Sequence, residues 1–172
     1  MKTAFFLLFL FVGFSSLALA QDLTSVDFSL RDVNGDEKSF QELLKQVRGT
    51  EAQPKKGVLM ISFWALWCEP CKQEMKALRE TYEKYKDKNF HYLAINIDNP
   101  RSGAKVKAYV SAQGHPYNFW LDPNSEIFKK LNGTSMPYSL IVSSDGKLIA
   151  KRVGFIAGDE KEIAKDIAKA LE

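Results

Sequence analysis

The sequence predicts an α/β sandwich, a mixed central sheet with helices on both faces. Three observations carry this. A continuous apolar run over residues 57–64 and a second, largely apolar stretch over 90–97 read as buried strands. Amphipathic stretches of helical period follow them. The chain then closes with a sharp hairpin signal and one more amphipathic helix.

The elements follow in order. Residues 26–30 alternate apolar and polar, as a half-buried strand should, and Asn34-Gly35 is a strong turn signal. Residues 21–40 therefore predict a lead-in hairpin, with Lys38-Ser39-Phe40 on the return. Ser39 can cap a short helix over residues 40–47. Residues 48–56 are polar, contain Gly49 and Pro54, and predict a loop. After the first buried strand, Cys71, Met75, Leu78, Tyr82 and Tyr85 recur at helical spacing, so residues 72–85 predict a helix with one buried stripe. The second buried strand ends at Asp98-Asn99-Pro100. A helix over 104–113 follows, with Val106, Tyr109 and Val110 as its apolar face, and Gly114-His115-Pro116 ends it. A short strand over 118–121 and a short helix over 125–131 come next. Residues 139–143 and 148–153 form a hairpin about Ser144-Asp145-Gly146. The helix over 160–171 places Ile163, Ile167 and Leu171 on one face.

The first twenty residues stand apart. Lys2, an apolar run over 4–14 and Ala18-Leu19-Ala20 have the form of a secretory signal peptide cut before Gln21. An uncleaved anchor is the alternative, since residues 4–20 are at the short end for a membrane span. The expected organisation is a signal peptide at 1–20 and one domain at 21–172. The 24 basic and 21 acidic residues are interspersed. That describes a solvated surface rather than a nucleic-acid patch.

The chemistry concentrates at Trp67-Cys68-Glu69-Pro70-Cys71, which holds both cysteines of the chain. An exported domain stapled for stability carries widely separated cysteines. A bridge this short contributes only about 2 kcal/mol on the chain-entropy model, against about 4.7 kcal/mol for a 100-residue loop. Thiol–disulfide exchange is the leading reading. At a helix start, unpaired N–H groups and the macrodipole stabilise a thiolate, so Cys68 is expected to be accessible, acidic and nucleophilic. Cys71, one turn later and deeper, is the expected resolving thiol. Glu69 opposes thiolate formation, and Pro70 suits a first helical turn. Together they argue for a reductant rather than a strong oxidant. Trp67 either shields the motif or touches substrate. Pro137, just before a buried strand, marks a specialised turn and a candidate cis bond after Met136.

The segment from Phe63 to Met75 closely resembles the active-site segment of the thioredoxin-like TlpA/ResA family of exported thiol–disulfide oxidoreductases. The likeness extends over residues 21–172, including the N-terminal hairpin, a strand–helix insertion around 98–121 and the proline before the last hairpin. The resemblance implies a thioredoxin-like three-layer sandwich. It implies that Pro137 is cis and faces the cysteines, and that Met136 offers its backbone to an extended cysteine peptide. Trp67, Glu69, Pro70, Met136 and Pro137 are then the expected substrate-facing set. It also points to Glu74 as a residue that tunes proton transfer at the thiols; the alternative is an exposed first-turn glutamate favoured by the helix dipole. Thioredoxin keeps a buried aspartate six residues before its first cysteine, where this chain has Ser62. Tyr138-Ser139 departs from the Thr-rich pair common after the cis-proline.

The implied activity is reduction of cysteine pairs in exported proteins, cytochrome c maturation being the family's usual setting. A membrane thiol transporter of the DsbD/CcdA kind is the implied electron donor. No organic cofactor is expected, since the cysteine pair carries two electrons, and the expected state is a soluble periplasmic monomer. Competing readings are a disulfide oxidase or isomerase, a thioredoxin-fold metal chaperone, an idle-motif holdase and, more weakly, a peroxidase. His91 and His115 fit no recognisable metal-ligand spacing.

Overall fold

A computed structural model describes residues 23–50 and 52–172. The expected signal peptide lies outside the described residues. No helix among the described residues is long and apolar enough to cross a membrane.

Among the described residues seven strands form one mixed sheet: β1 (Ser29–Asp32), β2 (Glu37–Ser39), β3 (Val58–Trp64), β4 (Phe90–Asn96), β5 (Asn118–Leu121), β6 (Tyr138–Ser143) and β7 (Leu148–Val153). Their order is β2-β1-β5-β4-β3-β6-β7. β3 is the hub. It runs parallel to β4, with Val58 opposite Phe90 and Trp64 opposite Asn96, and antiparallel to β6, with Phe63 opposite Tyr138. β5 continues the parallel set beside β4. The β1–β2 hairpin closes one edge and β7 the other.

Among the described residues six α-helices cover the sheet: α1 (Phe40–Arg48), α2 (Glu69–Ala77), α3 (Arg79–Tyr85), α4 (Gly103–Gln113), α5 (Glu126–Lys130) and α6 (Asp159–Leu171). Side chains alternate across a strand, so β3 feeds two cores. Val58, Met60 and Trp64 face Met75, Val106, Ile163 and Ile167 of α2, α4 and α6. Leu59, Ile61 and Phe63 face Phe40, Leu43, Leu44 and Val47 of α1 and Ile127 of α5. The result is the three-layer sandwich expected from the sequence. Ser62 belongs to the first set by parity and is the polar interruption in an otherwise apolar strand.

Two elements differ from expectation. The first strand begins at Ser29, not at residue 26. Leu23 and Val26 are tied into a turn by their own backbone bond, and Gln41 Nε2 binds the carbonyls of Thr24 and Val26. Only from Ser29 does the chain find a neighbouring strand; alternation reports a buried face, not a pairing partner. The expected helix over 72–85 starts at Glu69 and breaks at Leu78, whose ψ of −1° interrupts the α-helical course. Leu78 is nonetheless fully buried, so the apolar stripe survives the break.

Candidate active site

β3 delivers the chain to the sheet's carboxyl end, and residues 65–68 turn it into α2. Two contacts fix that turn: Cys68 N–H bonds to Ala65 O at 3.0 Å, and Leu66 N–H bonds to Asp98 Oδ2 at 2.7 Å. Asp98 is itself held by Asn96 Nδ2 at 2.8 Å. In the sequence Asp98 marks only the end of the second buried strand.

Cys68 is the N-cap of α2 and Cys71 lies in its first turn. They are joined in a disulfide, Cα to Cα 5.4 Å. Cys71 N–H points at Cys68 Sγ, 3.3 Å away, the sulfur standing where a capping oxygen would. Pro70 sits in the first turn, where it costs no hydrogen bond. Cys71 Sγ lies 3.9 Å from Phe63 O, deep under the loop.

Cys68 is less open than expected. It is 4% exposed and Cys71 1%, so both are buried in the disulfide form and the expected accessible Cys68 is not seen there. Both cysteines belong to the apolar cluster against which Leu66 and Met136 pack. Trp67, by contrast, is 72% exposed and shields little of itself. Glu69 is exposed and pairs with Lys72 at 3.4 Å; the Lys72 ammonium also lies 5.7 Å from the Tyr109 ring centre.

The second loop arrives through β6. The Phe63–Tyr138 register sets Pro137 alongside Trp64, at the end of β3 from which the cysteine loop departs. The Met136–Pro137 bond is cis. Pro137 is buried, Met136 half-buried, and Pro137 O accepts from Gly154 N–H at 2.8 Å. The substrate-facing set therefore divides: Trp67, Glu69 and Pro70 are exposed on one loop, and Met136 and Pro137 lie lower on the other.

Glu74 is 1% exposed, which settles its alternative: it is not a solvated first-turn residue. It lies one helical turn from Cys71, on the same buried face. Its Oε1 accepts from Ser62 Oγ at 2.5 Å and from Tyr92 OH at 3.0 Å. Ser139 Oγ lies 3.1 Å and 3.0 Å from the two carboxyl oxygens and 3.1 Å from Ser62 Oγ. Burial pushes the Glu74 carboxyl above its ordinary value; bonds from Ser62, Ser139 and Tyr92 and the charge of Arg152 pull the other way. Tyr92 is pushed well up, first by burial and then by Glu74, and so stays a neutral donor. Ser62 and Ser139 had appeared only as departures from thioredoxin, and Tyr92 was not singled out. The available signal was a hydroxyl within each apolar run, since a buried hydroxyl needs a partner.

The histidines lie elsewhere. His91 Nε2 is 2.9 Å from Asn89 Oδ1, and His115 stacks on Tyr117 beside Arg79. Among the described residues no group of three or more His, Cys, Asp or Glu side chains could hold a metal ion.

Comparison with known proteins places this geometry. The thiol-disulfide oxidoreductase ResA of Bacillus anthracis is 31% identical over 111 residues, which cover 64% of this chain; the chain spans only 59% of that relative. The solution structure of an uncharacterized thioredoxin-like protein from Porphyromonas gingivalis superposes with a TM-score of 0.66 at 27% identity, over 83% of this chain and 88% of that one. The thioredoxin domain of a thiol-disulfide oxidoreductase from Bacteroides vulgatus gives 0.65 at 20% identity, over 87% and 99%, a likeness of fold. The fold is thioredoxin-like, and since the Redoxin family model spans residues 20–167, the whole sheet and both loops of the site, the chain belongs to the Redoxin family.

Proposed function

We propose that this chain is an exported thiol–disulfide oxidoreductase that reduces cysteine pairs in other exported proteins, with cytochrome c maturation as its setting. One observation carries the reading: the Cys68–Cys71 pair caps a helix whose next buried turn presents Glu74. A staple has no use for a buried acid one turn from its inner sulfur; in an exchange centre such an acid can take up that thiol's proton.

In the reduced protein, the Cys68 thiolate attacks one sulfur of a substrate disulfide. A Cys68–substrate bond forms, the substrate S–S bond breaks, and the other substrate sulfur leaves as a thiolate that takes a proton from water. Cys71 then gives its proton to Glu74 and attacks Cys68 Sγ. The Cys68–Cys71 disulfide forms, the second substrate thiolate leaves, and two electrons have passed to the substrate. The hydroxyl set around Glu74 suits both states of the acid. A carboxylate accepts from Ser62, Tyr92 and Ser139, whereas a carboxylic acid can donate to Ser139 Oγ while still accepting from Tyr92. Trp67 and Met136 frame the approach to Cys68. A membrane thiol transporter of the DsbD/CcdA kind would restore the dithiol.

Cys71→Ser should stall the mixed disulfide on Cys68, and Cys68→Ser should trap almost nothing. Equal trapping by both variants overturns the roles. The reduction potential decides direction: a value near thioredoxin's, about −270 mV, supports a reductant, and one near about −120 mV an oxidant.

A further inference from the structure

Beyond the hydroxyls that touch it, Glu74 has a charged neighbour on the edge strand. Arg152 of β7 stands opposite Ser139 of β6, and partners across an antiparallel ladder project from the same face. Ser139 Oγ is the atom that lies 3.0–3.1 Å from both Glu74 oxygens. On that face Arg152 Nη2 donates to Asp166 Oδ2 of α6 at 2.6 Å, in a pair whose side chains are only 29% and 30% exposed. Arg152 Nε is buried and has no acceptor among the described residues. A free surface arginine surrounds its N–H groups with water, which screens its charge. Here one N–H is held dry whatever the outer guanidinium nitrogens bind, so the field reaches the protein interior with less loss.

The side chains that hydrogen-bond Glu74 among the described residues are uncharged. Ser62 comes from β3, Tyr92 from β4 and Ser139 from β6. Tyr117, stacked on Tyr92 at 4.2 Å, is pushed far up by burial and stays neutral. Facing Arg152 from α6 is Asp166, with Lys169 lining the same shallow groove as Asp166. The arginine charge acts on Glu74 against the larger effect of burial.

We propose that Arg152 is a positioning residue of the redox site: from behind Ser139 its charge biases the site of the buried Glu74, and Asp166 sets how strongly. Its consequence for turnover rests on the exchange chemistry proposed above; the bias itself does not. Removing the arginine takes away the favourable charge. Removing Asp166 takes away the competing anion and leaves the arginine's field less opposed. The two substitutions therefore act in opposite directions, which a structural role in holding β7 to α6 would not produce, because either change breaks the same bridge.

The test is a 13C-carboxyl NMR titration of Glu74 in the full chain, with the disulfide intact, in wild type and in Arg152→Met, Arg152→Lys and Asp166→Asn. The expected order of midpoints is R152M above wild type, R152K close to wild type and D166N below it. Equal midpoints in all four, or movement of R152M and D166N in one direction, overturns the proposal. Should R152M not fold, D166N still decides: a midpoint that rises or stays put refutes the role. The two failures separate, because a wild type that reduces no disulfide sinks the exchange reading without touching the titration, and a flat titration sinks the role of Arg152 without touching turnover.

Discussion

Glu74→Gln isolates the ionisation of the buried acid. Glutamine has the same shape and keeps an oxygen for Ser62 and Tyr92, but it cannot ionise. The sign follows from the direction of the shift. Burial raises the proton affinity of Glu74 in the folded state, so between the ordinary glutamate value and its own raised value the folded chain holds a proton that the unfolded chain has lost. The stability this group contributes is complete below pH 4.5, the ordinary value, and is lost as pH rises toward and through the folded value. One proton difference makes the slope about 1.4 kcal/mol per pH unit. Below pH 4.5 both side chains are neutral in both states, and the two proteins should differ by no more than about 1 kcal/mol, the worth of one altered neutral hydrogen bond. Above it the variant gains on wild type at about that slope, then holds a constant lead once Glu74 has ionised in the fold. Urea unfolding of the disulfide form at pH 4, 5, 6, 7 and 8, followed by tryptophan fluorescence, reads this directly. Parallel stability curves would refute the reasoning. A variant that falls further behind with rising pH would show the opposite case, in which the three hydroxyls stabilise the carboxylate more than burial penalises it.

Two further outcomes test the frame around the site. Asp122 is buried and accepts from the N–H groups of Glu126, Ile127 and Phe128, capping α5 from before the left-handed Ser125; Asp122→Ala should cost about 2–3 kcal/mol in urea unfolding, since three helix N–H groups lose their acceptor. A Cβ on Gly133 would stand 2.2 Å from the Phe128 ring, which packs edge-on to Phe63 and Tyr138; Gly133→Ala should cost about 1–3 kcal/mol in thermal unfolding by forcing that ring out of the core beside the Pro137 loop.

The sequence carried much of the fold because the signals were strong and local. β3 and β4 follow from apolar runs with turn signals beside them, and the last hairpin from Ser144-Asp145-Gly146, whose glycine takes the left-handed φ of 81° the turn needs. Pairing was less legible, because alternation names a face and not a neighbour, and the true start of β1 shows the difference. The cysteine motif announced itself. Glu74 stayed ambiguous because a glutamate in a helix is ordinarily solvated, and its burial depends on three hydroxyls from three strands that are far apart in sequence. Asp98 was invisible for the same reason: its role is to hold the N–H of Leu66, which lies 32 residues away in the chain.

The serine at position 62 and the buried acid at Glu74 are one arrangement seen from two sides. Ser62 points to the face that α2 covers, and its hydroxyl donates to Glu74. A residue at this place on β3 and one on α2 therefore share a single pocket with room for one acid. Restoring an acid on the strand without removing that on the helix should be costly. Ser62→Asp sets two carboxyl groups near each other in a buried site, and two charges about 4 Å apart repel by about 4 kcal/mol at an effective dielectric of 20. Only one of the pair can ionise freely, and the other must keep its proton. Ser62→Asn has the same shape without the charge and controls for lost space. Thermal unfolding should find S62D and S62N close at pH 4, where both acids are protonated, and S62D progressively weaker toward pH 8. Ser62→Asp with Glu74→Gln should recover most of the difference, because one acid then occupies the pocket again. If S62D matches S62N from pH 4 to pH 8, the two positions do not share a site and the helix acid is not a relocated strand acid.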